Sequence, residues 1–291
     1  MNFRYKTSDR VAFYAGYFFY KVFLNWFEVR RPRLRMFLYE MMYSAAKVFD
    51  YNALVPTPFD DDTVVTRFGT FRIRTRTVDM SNVSPAFERR DVNYMLRLLD
   101  SLRVGGKRIL FMDIGADIGT FSVTVGNHLK GYAGLRIHAF EPSPTSFGIL
   151  GENIRLNGLE GCTALHNVAL YSKDNVEMEF HFNPVAPGSS GLTLEGVAAE
   201  KTTVRARTLD AVLGGEVASY DALVLKIDVE GVEADVLDGA CALLASGRDV
   251  YLMVEDFIKP SIVGYLEAHG AQFLCKLTPY NSWWHIRADK P

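Results

Sequence analysis

Ile109-Leu110-Phe111-Met112-Asp113-Ile114-Gly115-Ala116-Asp117-Ile118-Gly119-Thr120-Phe121 is the stretch from which the fold is read. Ile109 to Met112 is an apolar run that suits a short strand buried on both faces. Asp113 ends it. Gly115, Ala116 and Gly119 make a turn of small residues, and Thr120 opens a helix. Glycines permit a sharp turn and close approach of a ligand, and the helix start offers unpaired N–H groups. Strand, small-residue turn and helix in this order open a doubly wound α/β sheet.

The spacing departs from a dinucleotide fingerprint. Asp117 stands where the second glycine of a G-x-G motif would be, and an acid there repels a pyrophosphate. It suits a ligand with a cationic amino group. Asp113 and Asp117 therefore favour S-adenosylmethionine, which carries an ammonium and a sulfonium and no phosphate, over a nicotinamide cofactor.

Composition sets bounds around this unit. The 291 residues are 48% hydrophobic and 23% charged, enough for one large α/β domain with an accessory piece. A net charge of −2 and a pI near 6.3 give no basic excess, so nucleic acid is not an expected partner. Cys162, Cys241 and Cys275 form no C-x-x-C pair and fit reduced thiols in a cytoplasmic protein.

Residues 1–55 stand apart as an N-terminal helical extension, and residues 56–291 read as the main domain. From Met1 to Tyr51 there are 16 aromatics, with nine Lys or Arg against four acids. Val11 to Phe27 is mostly apolar but is interrupted by Lys21 and Asn25, so no transmembrane span is expected. The expected arrangement is helices packed on the main domain or closing a homo-oligomer interface. Peripheral contact with an anionic membrane is the alternative. Pro56 and Pro58 mark the boundary.

Val64 to Phe68 and Thr70 to Thr77 read as a hairpin turning at Gly69, with Arg72, Arg74 and Arg76 on a solvated face. Helices are expected over 88–102, 146–157, 232–244 and 261–269. Strands are expected over 136–140, 164–168, 177–182, 203–206, 222–227, 250–254, 272–277 and 283–287. The alternation predicts a mostly parallel sheet with helices on both faces. Glu141, closing the second strand, is placed to accept from both vicinal hydroxyls of a ribose. Asn167 and Ala169 lie at the carboxyl end of the third strand. Asp228, Glu230 and Glu233 crowd the end of another, which burial alone does not explain.

The series D-I-G-A-D-I-G-T-F (113–121), F-E-P (140–142), N-x-x-L-N-G (153–158), N-V-A-L (167–170), G-S-S (188–190), T-L-D (208–210) and L-K-I-D-V-E-G-V-E (225–233) resembles the FkbM-type S-adenosylmethionine-dependent methyltransferases. That family usually has Asn in place of Asp117. The resemblance implies a Rossmann-like class I methyltransferase fold and methyl transfer to a hydroxyl of a sugar, glycolipid or polyketide-like metabolite. It implies that Asp113, Gly115, Asp117 and Gly119 surround the methionine part of the cofactor. Glu141 would hold the ribose, Asn167 and Ala169 would line the adenine, and Asp228 would stand beside the sulfonium.

A sugar hydroxyl has a high pKa, so a general base is expected. Asp228 is the first choice, with Glu230, Glu255 and His181 as alternatives. No metal is expected, because Asp228, Glu230 and Glu255 lack a clean ligand spacing. Two other readings remain, an NAD-dependent enzyme and a non-catalytic binding module.

Overall fold

The computed structural model describes residues 62–75, 77–184, 186–192, 200–257 and 262–288. The expected N-terminal extension, with its membrane and oligomer readings, lies outside the described residues. A hairpin opens the described chain, with β1 (Thr63–Val65) antiparallel to β2 (Thr70–Arg72). The arms are shorter than the alternation suggested. β2 is stapled to the domain by two side chains of the N-x-x-L-N-G stretch. Asn153 accepts from the Arg72 N–H and donates to the Arg72 carbonyl, and Asn157 does the same for Thr70. These amides supply the backbone partners that an edge strand otherwise seeks from another chain.

Two helices follow, α1 (Asp79–Val83) and α2 (Arg89–Val104). Then comes β3 (Ile109–Ile114), every residue of it buried, and α3 (Thr120–His128). β4 (Leu135–Phe140), α4 (Pro144–Leu156) and β5 (Thr163–His166) complete the first half. β6 (Ala169–Leu170), β7 (Val176–Phe182) and β8 (Glu200–Arg207) form a separate three-stranded sheet in the order β6-β8-β7. Its inner face is Ala169, Phe180, Val204 and Ala206.

α5 (Leu209–Leu213) leads to β9 (Ala222–Ile227), also wholly buried. The helix expected over 232–244 is two, α6 (Glu233–Asp238) and α7 (Cys241–Leu244). The break has a steric cause: a Cβ on Gly239 would lie 2.2 Å from the Tyr171 carbonyl oxygen, so another backbone runs against the chain here. β10 (Asp249–Glu255), α8 (Ile262–Ala268), β11 (Gln272–Lys276) and β12 (Asn281–Ile286) close the domain.

The main sheet has seven strands in the order β11-β12-β10-β9-β3-β4-β5. β3, β4, β5, β9 and β10 are parallel, and β12 runs antiparallel to both its neighbours. Alternate residues of β3 serve two cores. Leu110 and Met112 pack with Leu209, Val236, Leu237 and Leu266, while Ile109 and Phe111 pack with Val92, Met95, Leu99 and Trp283. A strand apolar on both sides belongs at the centre of a sheet covered by helices on each face. Strand order reverses between β3 and β9, and in such sheets a crevice opens beyond the carboxyl ends of the strands at that reversal. Asp113 and Asp228 stand at those ends. No described helix is long and apolar enough to cross a membrane.

Candidate active site

The crevice at the strand reversal is a cleft lined among others by Gly115, Asp117, Glu141, Ala169, Gly188 and Asp228. Its floor is the turn after β3. Gly115 and Gly119 take left-handed conformations, φ 77° and 86°. A Cβ on Gly115 would lie 1.9 Å from the Asp228 carbonyl oxygen, so only glycine lets the ends of β3 and β9 touch. Gly119 caps α3 and packs against Leu150 behind the cleft.

Asp113 is fully buried beneath this turn and does not face the cleft. Its Oδ2 accepts from the Ser122 N–H at 2.9 Å and the Ser122 hydroxyl at 2.7 Å, tying β3 to the first turn of α3. Burial pushes its carboxyl up, opposed by the ammonium of Lys226. Asp117 lines the cleft, with φ 46° and its N–H given to Glu141 Oε2 at 2.9 Å. Its Oδ1 is taken by Arg74 Nη2 at 2.6 Å. The expected partnership between Asp117 and a ligand ammonium is therefore occupied in part by a guanidinium of this chain.

Glu141 is 6% exposed and also accepts from the Ser143 N–H. Burial first, and then the Asp117 carboxylate, push it up to about 8. Asn167 does not line the cleft. It donates to the Glu141 and Pro142 carbonyls and so fixes the turn that carries Glu141. Val168 and Ala169 form the wall beside it. Pro187 to Leu192, containing the G-S-S segment, crosses the mouth. Positions for a Cβ on Gly188 and Gly191 lie 3.7 Å from Asp117 Oδ2 and 3.0 Å from Glu230 Cβ, so this loop spans from one carboxylate-bearing turn to the other.

Lys226, within the L-K-I-D-V-E-G-V-E stretch, is the one charged residue of A-L-V-L-K-I, and the sequence alone gives it no role. It is buried, and its Nζ donates to the Gly115 carbonyl at 2.7 Å. It lies 3.2 Å from Asp228 Oδ2 and 3.8 Å from Asp113 Oδ1. Burial alone would lower its pKa, but Asp228, Asp113 and Glu88 outweigh it and raise it. Arg74 was read as part of a solvated face and is instead nearly buried, because Asp79, Ser146 and Asp117 close around its guanidinium.

Asp228, Glu230 and Glu255 come together, each with a carboxylate oxygen within 4.8 Å of the others. Glu230 sits at φ 59°. Burial, reinforced by the neighbouring carboxylates, raises both Glu230 and Glu255, and one Glu255 oxygen is buried without a hydrogen bond. Among the described residues, these three are the ones that could hold a cation. Glu88, at the N-cap of α2, faces the same group and is pushed up to about 8 by burial and then by Asp228. His181 is not brought to the cleft. It lies on the face of β7 opposite Phe180, with Nε2 3.1 Å from Glu179.

The described lining contains Asp117, Glu141 and Asp228 and no Lys, Arg or His. A pyrophosphate would find no cationic side chain in that described lining, whereas S-adenosylmethionine, with a ribose diol for Glu141 and a positive sulfonium for Asp228, fits the donor and acceptor set.

The strand order, with one antiparallel strand near the edge and a cleft between β3 and β9, defines a Rossmann-like class I methyltransferase fold. The chain belongs to the FkbM methyltransferase family: the family described as Methyltransferase FkbM domain matches residues 113–273. A curated relative, Methyltransferase 1 of Beauveria bassiana (strain ARSEF 2860), is 29% identical over 147 residues, 44% of this chain. The match spans 57% of that protein's length. Among solved structures, the Pyrococcus abyssi tRNA (uracil-54, C5)-methyltransferase in complex with S-adenosyl-L-homocysteine matches at TM-score 0.42 and 10% identity, over 78% of this chain and 44% of that one. The N-terminal domain of human METTL16 in complex with SAH matches at TM-score 0.37 and 13% identity, over 70% of each chain.

Proposed function

We propose that the protein is an S-adenosylmethionine-dependent O-methyltransferase acting on an uncharged hydroxylated acceptor, such as a sugar, glycolipid or polyketide-like metabolite. The observation that carries this reading is the meeting of Asp228 with Glu230 and Glu255 beside the Gly115 turn. The cofactor supplies an electrophilic methyl group on a positive sulfur. Glu141 accepts from the ribose hydroxyls. Asp228 stands where the acceptor enters and takes the proton from its hydroxyl as the oxygen attacks. Glu230 and Glu255, raised by burial, retain protons at neutral pH and can both donate to and accept from neighbouring hydroxyls of a polyol.

Most of the rate gain in such an in-line transfer comes from positioning, and the Pro187–Leu192 segment across the mouth helps exclude water. A phosphate-rich acceptor such as RNA would find Asp117 and Asp228 but no Lys, Arg or His in the described lining, which favours the neutral acceptor. The test is transfer of a labelled methyl group to panels of glycans, glycolipids, hydroxylated metabolites and RNA. Labelling of the neutral hydroxylated panels that is lost in Asp228→Asn supports the proposal, and labelling confined to RNA contradicts it.

A further inference from the structure

Arg74 is the most heavily bonded side chain near the cleft, and nothing in the methyl-transfer scheme uses it. Its Nε and Nη2 grip Asp79 at 2.8 and 3.0 Å, and its Nη1 donates to Ser146 Oγ at 2.8 Å. The remaining reach of Nη2 goes to Asp117 Oδ1 at 2.6 Å. Asp79 is fully buried and also accepts from the Arg74 N–H, so the guanidinium is held at both its backbone and its fork. A planar, five-donor group locked in this way is a rigid arm.

The arm ends on a residue that needs holding. Asp117 has φ 46°, a left-handed conformation that residues other than glycine seldom adopt. In that conformation its N–H points at Glu141 Oε2. Glu141 is thus set between two backbone donors, Asp117 N–H and Ser143 N–H, with one face left toward the cleft.

We infer that Arg74 is a positioning residue for the cofactor ribose: it pins Asp117, which aims the Asp117 N–H at Glu141, so that Glu141 presents its free face to the vicinal hydroxyls. This inference rests on reading the cleft as an S-adenosylmethionine site. Charge supports the geometry. The charged groups facing Glu141 are Asp117, which raises it, and Arg74, which lowers it, and Asp79 stands behind Arg74. From β5 the contact is the His166 carbonyl, which accepts the Glu141 N–H. Loss of the arginine therefore leaves Glu141 beside an uncancelled carboxylate and moves its protonation to higher pH.

The experiment is calorimetric titration of S-adenosylhomocysteine into the full chain across a pH series, with cooperative melting as the check on folding. Arg74→Met leaves buried Asp79 unpaired, so Arg74→Met/Asp79→Asn is the working variant. It is expected to bind roughly 10- to 100-fold more weakly, the range for a lost hydrogen bond involving charge. The pH at which acidification abolishes binding is expected to move upward. In an Asp117→Gly background, which keeps the left-handed backbone accessible and removes the side-chain acceptor, the same pair of substitutions is expected to cost less than about threefold, because the path through the Asp117 side chain is already cut. A folded working variant that binds within about twofold of the parent at every pH overturns the inference. So does an equal loss in both backgrounds. If the parent chain itself binds no S-adenosylhomocysteine, the cofactor reading fails first, and that result is separate from the behaviour of the variants.

Discussion

Lys226 Nζ lies 3.2 Å from Asp228 Oδ2 while donating to the Gly115 carbonyl, so one buried ammonium joins the turn after β3 to the turn after β9. Burying an ion in a central parallel strand is costly unless its partners are close, and here the partners are the two halves of the cleft floor. Lys226→Met is expected to destabilise the fold by about 3–5 kcal/mol, the cost of leaving buried charge uncompensated. Urea unfolding measures it. A loss below about 1 kcal/mol would mean that the two strand ends do not depend on this cation.

Glu141→Ala removes the acceptor proposed for the ribose diol. S-adenosylhomocysteine affinity should fall by about 1.5–3 kcal/mol in a folded variant. Unchanged affinity would take Glu141 out of the site.

Much of this was legible in the sequence because glycines and apolar runs leave few choices. The buried run at Ile109–Met112 and the glycines at 115 and 119 carry their backbone conformations on their face. Two kinds of feature were not legible. Arg74 is covered by Ser146 and Asp117, 72 and 43 residues away in the chain, and strand alternation does not show what covers a face. His181 does lie beside the G-S-S segment, its backbone bonded to Gly191, but its side chain is on the face of β7 away from Phe180 and outside the cleft lining. Asn167 and Asp113 were expected at the ligand and instead secure the turns that line the cleft, a distinction that depends on which side of a turn a short side chain bonds. The break at Gly239 depends on Tyr171, far away in the chain.

Gly115→Ala drives a Cβ into the Asp228 carbonyl at a residue that already has positive φ. Neither backbone can yield without opening the β3–β9 junction. The variant should lose about 3 kcal/mol or more of stability, or else fold with S-adenosylhomocysteine binding abolished. Melting and calorimetry together decide, and a stable variant with parental affinity would show that the junction tolerates opening.

Glu88 gives a pH signature in the absence of ligand. Its folded pKa of about 8 lies above its ordinary value, so between the two the native state holds a proton that the unfolded chain releases. Stability from this group is full at acidic pH and is lost as pH rises through about 8. Denaturant midpoints should fall between pH 5 and 8, and Glu88→Gln should flatten that fall by roughly 3 kcal/mol. An identical slope in the variant would place the effect elsewhere in the carboxyl cluster.

The central claim is that the cleft between β3 and β9 is built for S-adenosylmethionine. Parallel calorimetric titrations of the full chain with S-adenosylhomocysteine and with NADH test it most directly. The account predicts saturable binding of S-adenosylhomocysteine that Glu141→Ala weakens, and no binding of NADH, whose pyrophosphate would face Asp117, Glu141 and Asp228. Binding of NADH without binding of S-adenosylhomocysteine would contradict it.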